Sequence, residues 1–475
     1  MPSKELHLSV IDQTILRVYV RHLLFFAFPD PSVAGEAILV LANGLQAAIA
    51  EYPFLAGTVG PADPRTGKLT ARYEDPAPCV TTSGIFYASF DLADSSEFNY
   101  VALKEEGMPP SRFPGSLFCP RLLKSHPGLE DQFAEGVTTM RKGEIPALAA
   151  QANFIPGGLV LSVYMHHSVM DGTGIGLFYK RWADNVRTRM TRQEESRTTA
   201  IDPSVSRLLL DTVGRIAAHD SISPCSELTT SPFSSESTRR GPVNVTAKIF
   251  TIPYQLISTL SSSLSSATST RISSFTAIAA LLWSHCVRAR GPVLQSPSFI
   301  LTTLGIAVDH RKRLGPPFEE GYMGNLALHT TATRSVDSLL LPAEITDKEL
   351  APLAVSIRQS LQSLSSKWVI NRLALLSCIS DVSTVRHSFQ IAGGSDFFIT
   401  SWTHIGADCE WDIPGTTSKK WEFFRKPRCT GDGGIVVLPR RKGEREPFEV
   451  LVQLVDEDME RLVEGMGSWA EKVVC

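Results

Sequence analysis

With 475 residues the chain is about three times a typical domain length, so two units, each with its own core, are expected. Its 43% hydrophobic and 20% charged residues are the proportions of an ordinary globular protein rather than a disordered or fibrous one. A net charge of -3 gives no concentrated basic surface for nucleic acid, which leaves small molecules as the expected partners.

The opening Met1-Pro-Ser-Lys-Glu-Leu-His7 lacks the long apolar region of a signal peptide, and no later stretch is read as reaching the roughly 18 apolar residues of a membrane span. A soluble, cytoplasmic monomer is expected. Eight cysteines (Cys79, Cys119, Cys225, Cys286, Cys378, Cys409, Cys429 and Cys475) stand singly, with no C-x-x-C pair. They are read as mostly buried thiols, and no metal site is expected.

Residues 1–190 mix strand-like and helix-like patterns. Within them Leu159, Leu161, Val163 and Met165 alternate with Val160, Ser162 and Tyr164, which predicts a strand with these four side chains on one inward face. Continuing the period places His167 on that face and His166 on the other. The pattern breaks at Asp171-Gly172-Thr173-Gly174, and Ile175, Leu177, Phe178 and Trp182 then predict a helix. From 191 to 241 the chain turns rich in Ser, Thr and charge, the signature of a crossover linker, with room for one amphipathic helix from Ser206 to Ala218.

A second unit is expected over 242–475. Phe275, Ile278, Ala279, Leu282 and Cys286 recur at helical spacing behind the capping candidates Ser273 and Ser274, so a helix should run to about Arg290. Strands are predicted at Lys248–Ile252, Phe299–Ile306, Gly434–Leu438 and Phe448–Leu454, with a charged helix over Glu457–Glu464. Strands alternating with helices in both halves give an α/β fold of two mixed, layered domains.

The chemistry concentrates in His166-His167-Ser168-Val169-Met170-Asp171-Gly172. An imidazole takes a proton near neutral pH and is useful once held in one orientation, so His167 at a strand-to-helix corner reads as a general base. Asp171 either orients that ring, as in a triad, or pairs with a cation behind the loop; the sequence leaves both open. The plain alternative is a strand-end histidine satisfied by a carbonyl. Adjacent histidines on a strand face opposite ways, which argues against a metal site built from His166, His167 and Asp171.

This string, with Leu8-Ser-Val-Ile-Asp-Gln13, Leu45 to Gly57, Ser274 to Trp283, Val308-Asp-His-Arg-Lys-Arg313 and Tyr322-Met-Gly-Asn325, resembles the BAHD superfamily of coenzyme-A-dependent acyltransferases, most closely its fungal secondary-metabolism, trichothecene 3-O-acetyltransferase-like branch. The resemblance covers nearly the whole chain. It implies two chloramphenicol-acetyltransferase-like domains with a channel between them, acyl-CoA (acetyl-CoA in the simplest case) as co-substrate rather than a bound cofactor, and a small hydroxylated acceptor. It further implies His167 as the base, Asp171 turned away and paired with Arg311, and Gly172 kept small so as not to crowd the histidine or pantetheine. Thr400 and Trp402 match positions facing the reacting carbonyl. The helix opening at Ser273 and Ser274 offers amide donors to a coenzyme A phosphate, or is an ordinary cap, and the basic run Arg440-Arg441-Lys442 reads first as a solvated loop and second as a phosphate contact. The family's second signature is degenerate here, Asp408-Cys-Glu-Trp411-Asp keeping only the Asp and Trp. A condensation domain of nonribosomal peptide synthesis, using carrier-protein thioesters, and a catalytically silent binding protein on the same fold are the rival readings.

Overall fold

The computed structural model describes residues 3–189, 202–219, 222–230, 244–427, 431–443 and 445–475. Its first sheet has five strands in the order Phe423–Arg425, Tyr19–Ala27, Gly158–His166, Leu148–Ile155, Phe86–Ser89. Only the last pairing is parallel. The alternation read in the sequence is real, but both faces of Gly158–His166 are covered: every residue of the strand is buried. The odd-numbered side chains Leu159, Leu161, Val163 and Met165 join the main core, while Val160 on the other face joins a smaller one with Phe25 and Phe113. Polarity along a strand covered on both sides therefore does not tell in from out.

The helices Ala34–Glu51 and Gly172–Arg187 pack side by side within this half. Their approach is close at Gly44, where a Cβ would fall 2.6 Å from the Val186 side chain. The Trp182 indole donates to the Leu41 carbonyl (3.0 Å) across the same contact. Contrary to the sequence expectation, the stretch Pro31–Glu51 is long and apolar enough to cross a membrane, with mean hydropathy 1.6. Its Ala37, Leu41, Leu45, Ala48 and Ile49 are spent instead on the protein core.

The second sheet has seven strands: Ala327–Ser335, Leu301–Asp309, Phe397–Ser401, Gly434–Val437, Phe448–Val455, Val245–Ile252 and Lys472–Val474, in that order. Phe397–Ser401 runs parallel to both neighbours, and the other pairings are antiparallel. Against it lies the helix Ser274–Ala289, capped by the Ser273 hydroxyl on the Thr276 amide and buried at every position from Thr276 to Val287. Helices Tyr254–Thr268, Asp347–Gln362 and Asp456–Gly465 enclose it, so its burial on all sides is that of a core helix. The result is a two-domain, mixed α/β fold.

Two features modify the expected division of the chain. The short strand Phe423–Arg425, though it lies in the 242–475 half, pairs with Tyr19–Ala27 and so completes the first sheet. It is anchored by the fully buried Arg425, whose guanidinium spans both carboxylate oxygens of Glu449 (2.8 Å each) and the carbonyls of Gly107 and Met108. The crossover is also more than a spacer. Asp202 and Pro203 start a helix, Pro203–Ala217, whose Gly214 lets it close on the Ser366–Ser377 helix at the Leu373 carbonyl. Further on, the strand Leu228–Thr230 pairs with Val385–His387, while residues 191–201, 220–221 and 231–241 of the Ser/Thr-rich segment, and Cys429, lie outside the described residues. Of the described cysteines, all free thiols, only Cys119 and Cys286 are fully buried; Cys79, Cys378 and Cys475 are exposed, since they stand in loops or at the end of a strand rather than in core elements.

Candidate active site

The histidine strand ends at His166, and the pair of histidines then divides differently from the sequence expectation. His166 is fully buried, its ring edge-on to Tyr19 at 5.3 Å, and burial pushes its pKa down to about 3. It is a neutral core residue that accepts the Ser168 amide at Nδ1 (3.3 Å). His167 is the half-exposed member, because the chain turns out of the sheet there. Its main chain is fixed on both sides: the amide donates to the Val18 carbonyl (2.9 Å), and the carbonyl accepts from Asn325 Nδ2 (2.8 Å). Its Nδ1 is buried and has no hydrogen-bond partner among the described residues.

Asp171 closes the turn and is fully occupied. Its Oδ1 caps the following helix at the Gly174 amide (3.0 Å) and accepts Arg311 Nη2 (2.8 Å), while Oδ2 accepts Arg311 Nη1 (2.9 Å) and the Leu326 amide (2.8 Å). Arg311 also binds the Tyr322 and Gly324 carbonyls and Asp309. Burial works to lower the pKa of this guanidinium, but the Asp171 and Asp309 carboxylates outweigh it and hold it above its ordinary value. Burial likewise works to raise Asp309, and Arg311 with the Thr173 hydroxyl outweighs it. Of the two roles the sequence left open for Asp171, the geometry takes the second: four donors consume the carboxylate, leaving none of it for the imidazole.

Gly172 does not face the histidine. A Cβ there would meet the flexible end of Ile405 at 3.1 Å, whereas one at Gly174 would meet the Met323 carbonyl oxygen at 2.5 Å, so the tighter steric demand belongs to Gly174. The reason is that residues 402–411 of the second half fold over the start of the Gly172–Arg187 helix. In this loop Trp411 is fully buried against Trp182 (5.2 Å), Tyr179 (6.2 Å) and Phe26 (6.2 Å), while Asp408 is exposed and accepts the Lys442 amide. The degenerate signature thus keeps its aromatic anchor and puts its acid at the surface.

Thr400 is half-buried in the strand Phe397–Ser401, opposite Val436. Trp402 follows it, its amide tied to the Val437 carbonyl (2.8 Å) and its ring lying 4.9 Å from that of His22 on the first sheet. His22 is four residues along its strand from Val18, which binds the His167 amide, so the Trp402 ring meets the first sheet roughly 13 Å from the His167 register. His22 is buried, with its pKa lowered to about 3, and bonds Tyr179 through Nδ1. Ser273 is exposed and Ser274 half-buried at the start of their helix. Arg440 and Arg441 are committed elsewhere, over the rings of Phe448 and Trp421 and to Glu446.

Three residues that hold the turn had no assigned role in the sequence reading: Asp12, Asn325 and Arg207. Asp12 and Asn325 lay inside landmark strings. Arg207 carried its own signal, a charge three residues before Leu210 and seven before Gly214, on the buried stripe of an amphipathic helix.

Residues 124–468 match a family model described as "Transferase family", and residues 18–181 match one described as "Trichothecene 3-O-acetyltransferase-like N-terminal domain". The chain is 23% identical to trichothecene 8-O-acetyltransferase of Fusarium sporotrichioides over 98% of its own length and 97% of that protein's. It is 26% identical to trichothecene 3-O-acetyltransferase TRI101 of the same organism, with coverages of 97% and 95%. The crystal structure of F. graminearum TRI101 complexed with coenzyme A and T-2 mycotoxin is similar in fold, with a TM-score of 0.79 at 20% identity over 99% of this chain and 100% of that one.

Proposed function

The chain belongs to the Transferase family, and from that premise we propose that it moves an acyl group, in the simplest case acetyl, from coenzyme A to a hydroxyl of a small secondary metabolite. The names of its relatives, O-acetyltransferases of trichothecenes, and the coenzyme A and T-2 mycotoxin bound in the TRI101 structure support this choice of donor and acceptor class. The observation that carries the mechanism is the isolation of His167: half-exposed, fixed through its main chain, and with the neighbouring carboxylate taken up by Arg311 and two main-chain amides.

In the reaction His167 removes the acceptor proton as the oxygen attacks the thioester carbonyl, giving a tetrahedral oxyanion. Collapse breaks the carbon–sulfur bond, and the imidazolium returns its proton to the departing thiolate. The products are the ester and free coenzyme A, with both substrates bound together and no acyl-enzyme. Thr400 faces the acceptor and the helix start at Ser273 and Ser274 meets a coenzyme A phosphate, whereas Trp402, whose ring packs on His22 roughly 13 Å from the His167 register, stands away from the reacting carbonyl. The enzyme works as a cytoplasmic monomer.

A thiol-release assay across acyl-CoA donors and hydroxylated metabolites tests the reading. Wild type should release thiol only with an acceptor present, and His167→Ala should lose roughly 10²- to 10⁴-fold in turnover while folding normally. Undiminished turnover of the purified variant would remove His167 from the mechanism. Release only from a carrier-bound pantetheine, or from no thioester, would favour one of the rival readings.

A further inference from the structure

A buried ion pair is costly unless every donor and acceptor in it is engaged, so a second such pair beside the histidine turn raises the question of where its hydrogen bonds go. Arg207, in the crossover helix Pro203–Ala217, and Asp12, in the short helix Val10–Thr14, are both fully buried, with Arg207 Nε 2.9 Å from Asp12 Oδ2. The same Oδ2 accepts the amide and the hydroxyl of Ser9 (2.9 Å each). Oδ1 accepts the main-chain amide of Asn325 (2.9 Å) and its side-chain Nδ2 (2.8 Å). The Phe54 and Tyr322 rings lie over the guanidinium at 5.4 and 5.9 Å.

Two arms run from this hub to the histidine turn. Asn325 Nδ2 donates to the His167 carbonyl (2.8 Å), and Arg207 Nη2 donates to the Val169 carbonyl (2.7 Å). Residues 167–171 form a turn outside the sheet and the helix, so these carbonyls have no ladder partners, and side chains must satisfy them. Among the described residues none bonds the imidazole at Nδ1, and Asp171 is taken by Arg311 and two amides. The ring's direction is therefore set by its own main chain, which is pinned at the His167 amide by Val18, at its carbonyl by Asn325, and two residues later by Arg207.

We infer that Arg207, acting through Asp12 and Asn325, is a positioning residue for the catalytic histidine, which makes the crossover helix part of the catalytic apparatus rather than a tether between domains. The inference rests on the reading of His167 as the base. Geometry at a proton-transferring group matters steeply: a displacement of about 1 Å can cost on the order of 100-fold in rate without weakening substrate binding.

Two variants separate positioning from bulk stability. Arg207→Lys keeps the charge beside Asp12 but loses the planar fork that reaches Val169. The pair Arg207→Met/Asp12→Leu removes both charges and leaves neither one unpaired. Both should fold, keep the acyl-CoA KM within about twofold, and lose on the order of 10- to 100-fold in kcat. In a His167→Ala background, Arg207→Lys should cost nothing further, because it acts through a side chain already gone. The inference is overturned by wild-type kcat in a folded Arg207→Lys protein, by an equal additional loss in the His167→Ala background, or by failure of both variants to fold, which would assign the pair to stability alone. Wild-type turnover of His167→Ala by itself overturns the base assignment, and that outcome is read without any Arg207 variant.

Discussion

Replacing Arg311 with Met leaves the Asp171 carboxylate buried, at 1% exposure, with only the Gly174 and Leu326 amides as donors. It also strips the Tyr322 and Gly324 carbonyls of their guanidinium partner. Removing one member of a buried ion pair costs about 3–5 kcal/mol, a large share of the roughly 5–15 kcal/mol by which a protein is stable. At about 2–4 °C per kcal/mol for a domain-sized unit, the melting temperature should fall by roughly 6–20 °C. Asp171→Asn keeps one acceptor oxygen for the helix cap, and Arg311 retains Asp309 at 2.9 Å as a counter-charge, so the loss should be smaller, about 1–3 kcal/mol. Scanning calorimetry of the three proteins, with thiol release measured on the same preparations, checks the order wild type, Asp171→Asn, Arg311→Met. An Arg311→Met protein melting within about 2 °C of wild type, or an Asp171→Asn protein less stable than Arg311→Met, would refute the claim that this pair holds the turn.

Acid should destabilise the protein early. His22 and His166 have folded pKa values lowered by burial to about 3 against 6.5 for a free histidine, so the unfolded chain binds protons the folded one refuses. Their contribution is complete above pH 6.5 and is lost as the pH falls from there toward 3, about 2 kcal/mol per ring at pH 5. Urea unfolding at pH 7.5 and 5 should show that drop, and His166→Phe should make it shallower; equal stabilities at the two pH values would contradict it. Gly174→Ala, whose Cβ would strike a main-chain oxygen, should cost about 1–3 kcal/mol, whereas Gly172→Ala displaces only the Ile405 side-chain end and should be tolerated; melting temperatures in the reverse order would overturn the packing argument. Trp411→Ala should cost about 3–5 kcal/mol by emptying its pocket among Trp182, Tyr179 and Phe26, while Asp408→Ala should stay within about 0.5 kcal/mol in the same thermal scans.

The elements most legible in the sequence were those whose pattern one local period settles: the strand before His167, the capped helix at Ser273, and the strand Phe448–Val455 with its acidic-started helix. The crossover helix was also legible, because Ser206 to Ala218 is amphipathic within an otherwise polar stretch. The order of its motifs likewise identified the family and the Asp171–Arg311 partnership. Local pattern failed where a surface is formed by distant chain. Alternation could not rank His166 against His167, since both faces of their strand are covered and exposure is decided by where the chain leaves the sheet. Nor could it reveal that Phe423–Arg425 crosses to the first sheet, that residue 405 rather than His167 limits Gly172, or that Arg207 reaches a carbonyl 38 positions earlier. Hydrogen bonds of turns and buried charges are satisfied by whatever the fold brings near, and composition and period carry no record of those neighbours. The sequence by itself thus determined the family and those elements that one local period settles; the tertiary structure alone decided which of the two histidines leaves the core and what pins its main chain.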